Sequence, residues 1–283
     1  MTRSRRSCGR GTRAGGSRVA RLAGALTLTL ALTPVGMRIA AAQDFALPRV
    51  TPLSAAGAML EDALPSVYAG PSLAAGTISW YGVPELSTRA VVAEGGWRAA
   101  RGALGVSQTG DAELGWTTVA LAAGVVAADW GVAARVLARR DRTTAFEFGA
   151  APGEGGIETG AGAWLGLGGG ATLWASAPGL AVTGAEPPLA RPLEAGVEWR
   201  SPGLTLWLAR RSAPPAYGGA TFAAGAASRA GPACVWLAAH DAPLAGSLGV
   251  ALTYAACGVQ AEVESHPWLP PTARIAVILA APP

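Results

Sequence analysis

The chain has 283 residues and a formal charge of +4, but that charge is unevenly distributed. The first 42 residues carry eight Arg (Arg3, Arg5, Arg6, Arg10, Arg13, Arg18, Arg21 and Arg38) and no acid, whereas 14 Arg face 18 acidic residues from Asp44 onward. The remainder is therefore acidic, with a net −4, which removes the electrostatic basis for a nucleic-acid partner.

The sequence contains neither Lys nor Asn, the bias expected of a GC-rich coding sequence, which also inflates Gly, Ala and Arg. The 39 Gly are therefore not read as linkers. A basic stretch ends at Arg21, an apolar stretch runs over Leu22–Val35, and Ala40-Ala41-Ala42 precede Gln43-Asp44. That is the layout of a secretory signal peptide over residues 1–42 with a small-residue cleavage site. The apolar stretch is shorter than the roughly 20 residues of a membrane-spanning helix, which disfavours the alternative of an N-terminal anchor. Export leaves Cys234 and Cys257 in an oxidising compartment. The strand assignment below places one strand between them, about twice the ~4.8 Å strand spacing and beyond bridging reach, so both are expected free.

Residues 43–73 hold four Pro, a possible short helix over Ser54–Leu64 and no clean alternation. They are expected to form a non-barrel segment, either a plug or a periplasmic strap. From residue 74 to 281 short runs alternate with turn signals such as Gly95-Gly96, Gly168-Gly169-Gly170, Ser201-Pro202-Gly203 and Pro270-Pro271. Strands are predicted at 75–82, 86–96, 97–107, 112–123, 128–139, 155–166, 169–177, 190–200, 203–211, 217–227, 231–239, 246–255, 257–265 and 272–280. This spacing is that of an all-β sandwich or barrel. The count of about 14, within a range of 12–16, suits the even strand number of bacterial outer-membrane barrels.

Charge parity carries the most information. Within 190–200, Leu193, Ala195, Val197 and Trp199 oppose Glu194, Gly196, Glu198 and Arg200. Val259, Ala261 and Val263 oppose Gln260, Glu262 and Glu264, and Val132, Ala134, Val136 and Ala138 oppose Arg135, Leu137 and Arg139. Successive side chains point to opposite faces of a strand, so each strand has one uncharged face. A soluble sandwich would bury that face, and a membrane barrel would turn it to lipid. The leader, a charged fraction of only 14% and a mean hydropathy of +0.32 favour the barrel. So does the placement of Trp80, Trp97, Trp116, Trp130, Trp199, Trp236 and Trp268 near strand ends, where interfacial girdles lie. Trp116–Leu137 is long enough to span a membrane as a helix, but Gly124, Gly131, the β-branched residues and the turn at Asp129-Trp130-Gly131 favour two strands.

The order of features is informative in a second way. A small-residue N-terminal segment (Ser54-Ala55-Ala56-Gly57-Ala58-Met59-Leu60-Glu61-Asp62) precedes a first hairpin containing Pro84-Glu85-Leu86-Ser87. Near the end, His266-Pro267-Trp268-Leu269 leads into Thr272-Ala273-Arg274 and the last strand. This resembles the PorV/PorQ-type outer-membrane proteins, related to the long-chain fatty-acid transporters, over most of residues 50–280. The likeness implies a transmembrane barrel. Two features depart from the pattern: Glu61-Asp62 is followed by Tyr68-Ala69-Gly70-Pro71 without an Asn-Pro-Ala-type motif, and the chain finishes on Ala281-Pro282-Pro283 rather than an aromatic residue.

No metal-ligand spacing, nucleophile–base arrangement or phosphate loop is present, and His240 and His266 read as loop or strand-end residues. No cofactor, metal or enzymatic activity is expected. The candidate site residues are the polar-face charges Arg89, Glu113, Arg135, Arg139, Glu194, Glu198, Glu262, Glu264 and Arg274, which either line a passage or form ion pairs filling a closed lumen. The expected function is a passive outer-membrane channel or transporter for small molecules, hydrophobic ones included. The alternatives are a structural or secretion-accessory barrel that docks periplasmic or surface proteins, and a secreted soluble β-protein. Outer-membrane lipid is the expected surrounding partner.

Overall fold

The computed structural model describes residues 45, 47–53, 57–65, 70–111, 114–143, 155–184, 193–212, 221–241 and 244–280. The signal-peptide reading of residues 1–42, and Glu113, lie outside them.

Fourteen antiparallel strands close on themselves. They are β1 (Ser72–Ser79), β2 (Thr88–Trp97), β3 (Ala100–Gly110), β4 (Leu114–Val126), β5 (Trp130–Thr143), β6 (Gly155–Gly168), β7 (Ala171–Gly184), β8 (Glu194–Ser201), β9 (Leu204–Arg211), β10 (Thr221–Ala230), β11 (Ala233–His240), β12 (Ala245–Tyr254), β13 (Cys257–Glu264) and β14 (Thr272–Ala280). Each strand pairs with its sequence neighbours, and β1 with β14 completes the ring through partners from Ser72↔Ala280 to Ser79↔Ala273. Closure leaves no unpaired edge. Trp116–Leu137 is two strands and a turn, and Cys234 and Cys257 are both free.

The connections differ between the two ends. At the end where Ser72 and Ala280 meet, strands are joined by tight turns such as Arg98-Ala99, Gly169-Gly170, Pro202-Gly203 and Ala255-Ala256. Gly169 and Gly170 both have positive φ, 61° and 83°, the requirement of a hairpin turn that matches strand twist. At the other end the connections are mostly longer, with residues 144–154 between β5 and β6 and residues 185–193 between β7 and β8. Short turns beside the termini and longer loops opposite are the pattern of outer-membrane barrels.

Side-chain parity sorts the residues into an inner and an outer face. In β3, Ala103, Gly105, Ser107 and Thr109 are buried, while Leu104 and Val106 are exposed. The same outward exposure recurs at Leu121, Val136, Leu208, Val235, Leu248, Val263 and Ile275, giving an apolar outer surface around the ring. A water-soluble sandwich would bury these residues.

The tryptophans require a correction. Trp97, Trp199 and Trp268 are exposed as girdle residues would be, and Trp130 is half-buried on the outer parity of β5. Trp236 is fully buried on the inner face, the Trp116 ring lies under the inward Arg139 guanidinium, and Trp80 packs on the inner core and donates to Thr88 Oγ1. Position near a strand end does not decide the face, because adjacent residues at that end point opposite ways.

β7 runs past its predicted end at 177 because Pro178 sits in a bulge. The β6–β7 register shifts between Thr159 and Ala161, and Pro178 lacks the N–H that a regular ladder would need. Gly160 lies opposite, and a Cβ there would meet the Pro178 carbonyl.

Candidate functional site

The inner wall has two chemically distinct halves. Over β1–β5 it is built from small residues, with Ala74, Ala90, Ala103, Ala120, Ala122 and Ala133 all buried. Phe45, Leu47, Met59 and Leu60 of the N-terminal segment pack against these alanines in one cluster with Val92 and Leu137. Gly105 makes room for them, since a Cβ there would lie 2.5 Å from both the Leu60 and Phe45 side chains. A helical turn of this segment, α1 (Ala58–Glu61), is buried at every residue and contacts β3, β4 and β5.

Over β6–β12 the wall is made of tryptophans facing glycines. Trp164 is the register partner of Gly131, Trp174 of Gly196, Trp207 of Gly225 and Trp236 of Gly249. In each pair a Cβ on the glycine would collide with the facing indole. From β7 to β12 the order across consecutive strands is Trp, Gly, Trp, Gly, Trp, Gly. An aromatic side chain covering a cross-strand glycine compensates for the backbone that glycine leaves bare. Leu53 and Leu64 pack with Trp164 and Trp174, with Trp207 alongside, and Val50 packs against the cluster formed by Ala227, Cys234, Trp236 and Ala251.

Wall side chains also hold the main chain of the segment. Glu94 Oε1 accepts from the Gly57 N–H at 2.6 Å, and Glu262 Oε2 accepts from the Arg49 N–H at 3.0 Å. Arg135 donates to the Leu60 carbonyl, Ser176 to that of Asp62, and Trp164 Nε1 to that of Pro65 at 3.1 Å. Inside the segment, Arg49 pairs with Asp62 at 3.1 Å and Glu61 at 3.7 Å, and Glu61 accepts from the Phe45 N–H at 2.5 Å.

Of the residues singled out from sequence, seven face inward. Arg135 pairs with Glu158 and donates to the Pro178 carbonyl at 2.9 and 3.3 Å. Arg139 bonds Asp141 at 2.6 Å. Glu194 meets Arg211 at 3.0 Å, and Glu198 meets Arg200. Arg274 reaches Glu264 at 2.6 Å and Glu262 at 3.7 Å, with His240 3.5 Å from Glu264. This last group is drawn into one cluster, where Arg274 also lies 5.9 Å from the Trp80 ring.

Arg89 is the exception. Thr88, Ala90 and Val92 take the inner face of β2, so Arg89 is exposed on the outer one. It is one residue from the strand end, where a long side chain can carry its charge to the interface and the cost of an outward Arg falls to about 0–1 kcal/mol. The charged residue of β2 that does point inward is Glu94, not singled out from sequence, and neither was Glu158. Glu158 shares parity with Gly156 and Gly160 against the exposed Ile157, a pattern that could have found it.

These features define a closed fourteen-stranded antiparallel barrel with an apolar exterior, an ion-paired interior and N-terminal residues packed on its inner wall. No known protein family matches the chain, and no curated protein does. Among solved structures it is similar to engineered variants of the porin of Rhodopseudomonas blastica. One is 9% identical with a TM-score of 0.41. A second is 10% identical with a TM-score of 0.41, and a third 11% identical at 0.39. Each match covers 75% of this chain and 98% of the porin.

Proposed function

We propose that this protein is a non-enzymatic channel of the bacterial outer membrane for small solutes, whose lumen is closed in this state by its own N-terminal segment. The observation that carries the reading is the pairing of an apolar exterior with an inner wall that grips residues 47–53 and 57–65, and Phe45, through main-chain hydrogen bonds and apolar side chains. An exterior of this kind is a lipid-facing surface. The inward charges Arg135, Arg139, Glu194, Glu198, Glu262, Glu264 and Arg274 then line the closed passage. The resemblance to PorV/PorQ-type proteins agrees with a barrel of this kind.

Liposome swelling tests it. Reconstituted wild-type protein is expected to admit small sugars slowly, and the double substitution Arg135→Ala with Glu158→Ala, which releases the Leu60 carbonyl, to admit them faster. Equal and negligible permeability of both, with the barrels intact, would count against a channel.

A second reading, a barrel that docks protein partners, draws on the rim. There Trp80, Tyr81, His266 and Trp268 contact one another in series, with centroid separations of 6.2, 5.6 and 5.9 Å, and Trp268 is 76% exposed. Replacing Trp268 by Ala would weaken capture of a surface partner while leaving swelling unchanged.

A further inference from the structure

The two rims of the outer face are chemically different. Among the strand residues whose side chains are described, every acid points inward, and the charges on the outer face are Arg89, Arg140 and Arg210. All three lie at the end of the longer loops. At the turn end the outer face instead carries exposed Trp97, Trp199 and Tyr254, the aromatics of a membrane interface.

Cross-strand register draws two of these arginines into one polar row. Thr77 of β1 faces Arg89 of β2, Arg89 faces Gln108 of β3, Gln108 faces Thr117 of β4, and Thr117 faces Arg140 of β5. Residues directly opposite in a sheet share a face, so the whole row points outward. Each member lies within three residues of its strand end, which at ~3.4 Å per residue is within about 10 Å of the rim. Two residues deeper on the same face, Val91, Val106, Val119 and Ala138 form a second row in continuous register. A polar rim and an apolar wall thus meet along one line across β2–β5, which is the profile of a lipid with its headgroup above and its chains below.

The arginines of this row are uncommitted. Arg89 and Arg140 are exposed, and among the described residues neither has a hydrogen-bond or ion-pair partner. The inward Arg135, Arg139, Arg211 and Arg274 all have carboxylate partners. Three strand intervals of about 4.8 Å separate Arg89 from Arg140, roughly 14 Å in all, so each guanidinium meets an anion of its own. Phosphate fits the guanidinium fork through two parallel hydrogen bonds, and it is the anion that lipid headgroups carry at a membrane surface.

We propose that the row Arg89–Gln108–Thr117–Arg140 seats the headgroup of a doubly phosphorylated glycolipid, with one phosphate at each arginine and the acyl chains on the valine wall. This rests on the lipid-facing exterior of the channel reading above. The amide and hydroxyl side chains between the two arginines suit a sugar between the two phosphates. Arg210 is not part of the site, because its register partners are Ala195 and Phe222.

The experiment uses the full chain folded in dodecyl maltoside. Diphosphoryl lipid A, its monophosphoryl form or phosphatidylglycerol is titrated in, and bound lipid is counted by native mass spectrometry. The wild-type barrel is expected to hold the diphosphoryl lipid more tightly than either of the others. Arg89→Gln and Arg140→Gln should each weaken that binding about fivefold, the share of one arginine at an anionic lipid surface. Arg210→Gln should leave it unchanged. Heat-modifiable migration on a gel shows that each variant is a closed barrel, and in vesicles of phosphatidylcholine alone neither row substitution should destabilise it. Equally tight binding of either comparison lipid, an equal loss for Arg210→Gln, or unchanged binding in both row variants would overturn the row as a headgroup site. Failure of the wild-type barrel to insert into phosphatidylcholine vesicles would overturn the lipid-facing exterior and the channel reading with it. Insertion without preference for the diphosphoryl lipid would overturn the headgroup site alone.

Discussion

Arg135 of β5 donates a hydrogen bond to the main-chain carbonyl of Leu60 in the N-terminal segment while its guanidinium pairs with Glu158 on the neighbouring strand. The same group reaches the Pro178 carbonyl that the β7 bulge turns toward it. One buried side chain thus joins two strands, a bulge and the segment.

Removing one member of such a pair is far more damaging than removing both. Arg135→Ala deprives the fully buried Glu158 of its cation and is expected to cost about 3–5 kcal/mol, while Arg135→Ala with Glu158→Ala costs clearly less. Urea unfolding of the barrel in detergent or lipid measures both. Equal losses would show that the guanidinium acts mainly through Leu60 and Pro178.

The Trp–Gly pairs make a sharper packing prediction. Gly249→Ala drives a Cβ into the Trp236 indole and is expected to destabilise by roughly 1–3 kcal/mol through overpacking. Gly102→Ala has its nearest neighbour at 3.9 Å and should be close to neutral. Trp236→Phe should recover part of the Gly249→Ala loss, because the smaller ring leaves room for the methyl. Thermal migration shifts on gels compare Gly249→Ala, Gly102→Ala and the Gly249→Ala, Trp236→Phe double variant directly.

Which face meets lipid can be read from two reciprocal substitutions. Val136 is exposed on the outer face at the middle of β5, so Val136→Arg should cost about 2–4 kcal/mol in lipid. Arg89→Val, near the rim, should be neutral or stabilising. Folding equilibria in bilayers of defined composition check both, and a tolerated Val136→Arg would contradict the lipid-facing assignment.

The strands were legible because a period of two survives compositional bias, and Gly and Pro punctuate it: β9 and β14 fall within a residue of their predicted limits. Face assignment failed where charge was used in place of parity. Charge alone sends Arg89 inward, whereas Thr88, Ala90 and Val92 form the buried series of β2 and turn it out. The buried role of Trp236 depends on Gly249 lying directly across from it, and cross-strand register is not visible one strand at a time. The seat of the N-terminal segment was hidden for a compositional reason. Alanines such as Ala103, Ala120 and Ala133 leave space for Phe45 and Leu60, but in a chain this rich in Ala they do not stand out. The continuation of β7 through Pro178 was missed because a Pro-Gly pair ordinarily ends a strand.

The central claim is that the N-terminal segment closes the barrel, and single-channel conductance of Gly105→Val tests it most directly. The substitution leaves the wall's ion pairs untouched and wedges a side chain where Phe45 and Leu60 lie. The account predicts small, infrequent openings for the wild-type protein and large, sustained ones for Gly105→Val, with both migrating as folded barrels. Wild-type conductance as large as that of the variant would contradict it.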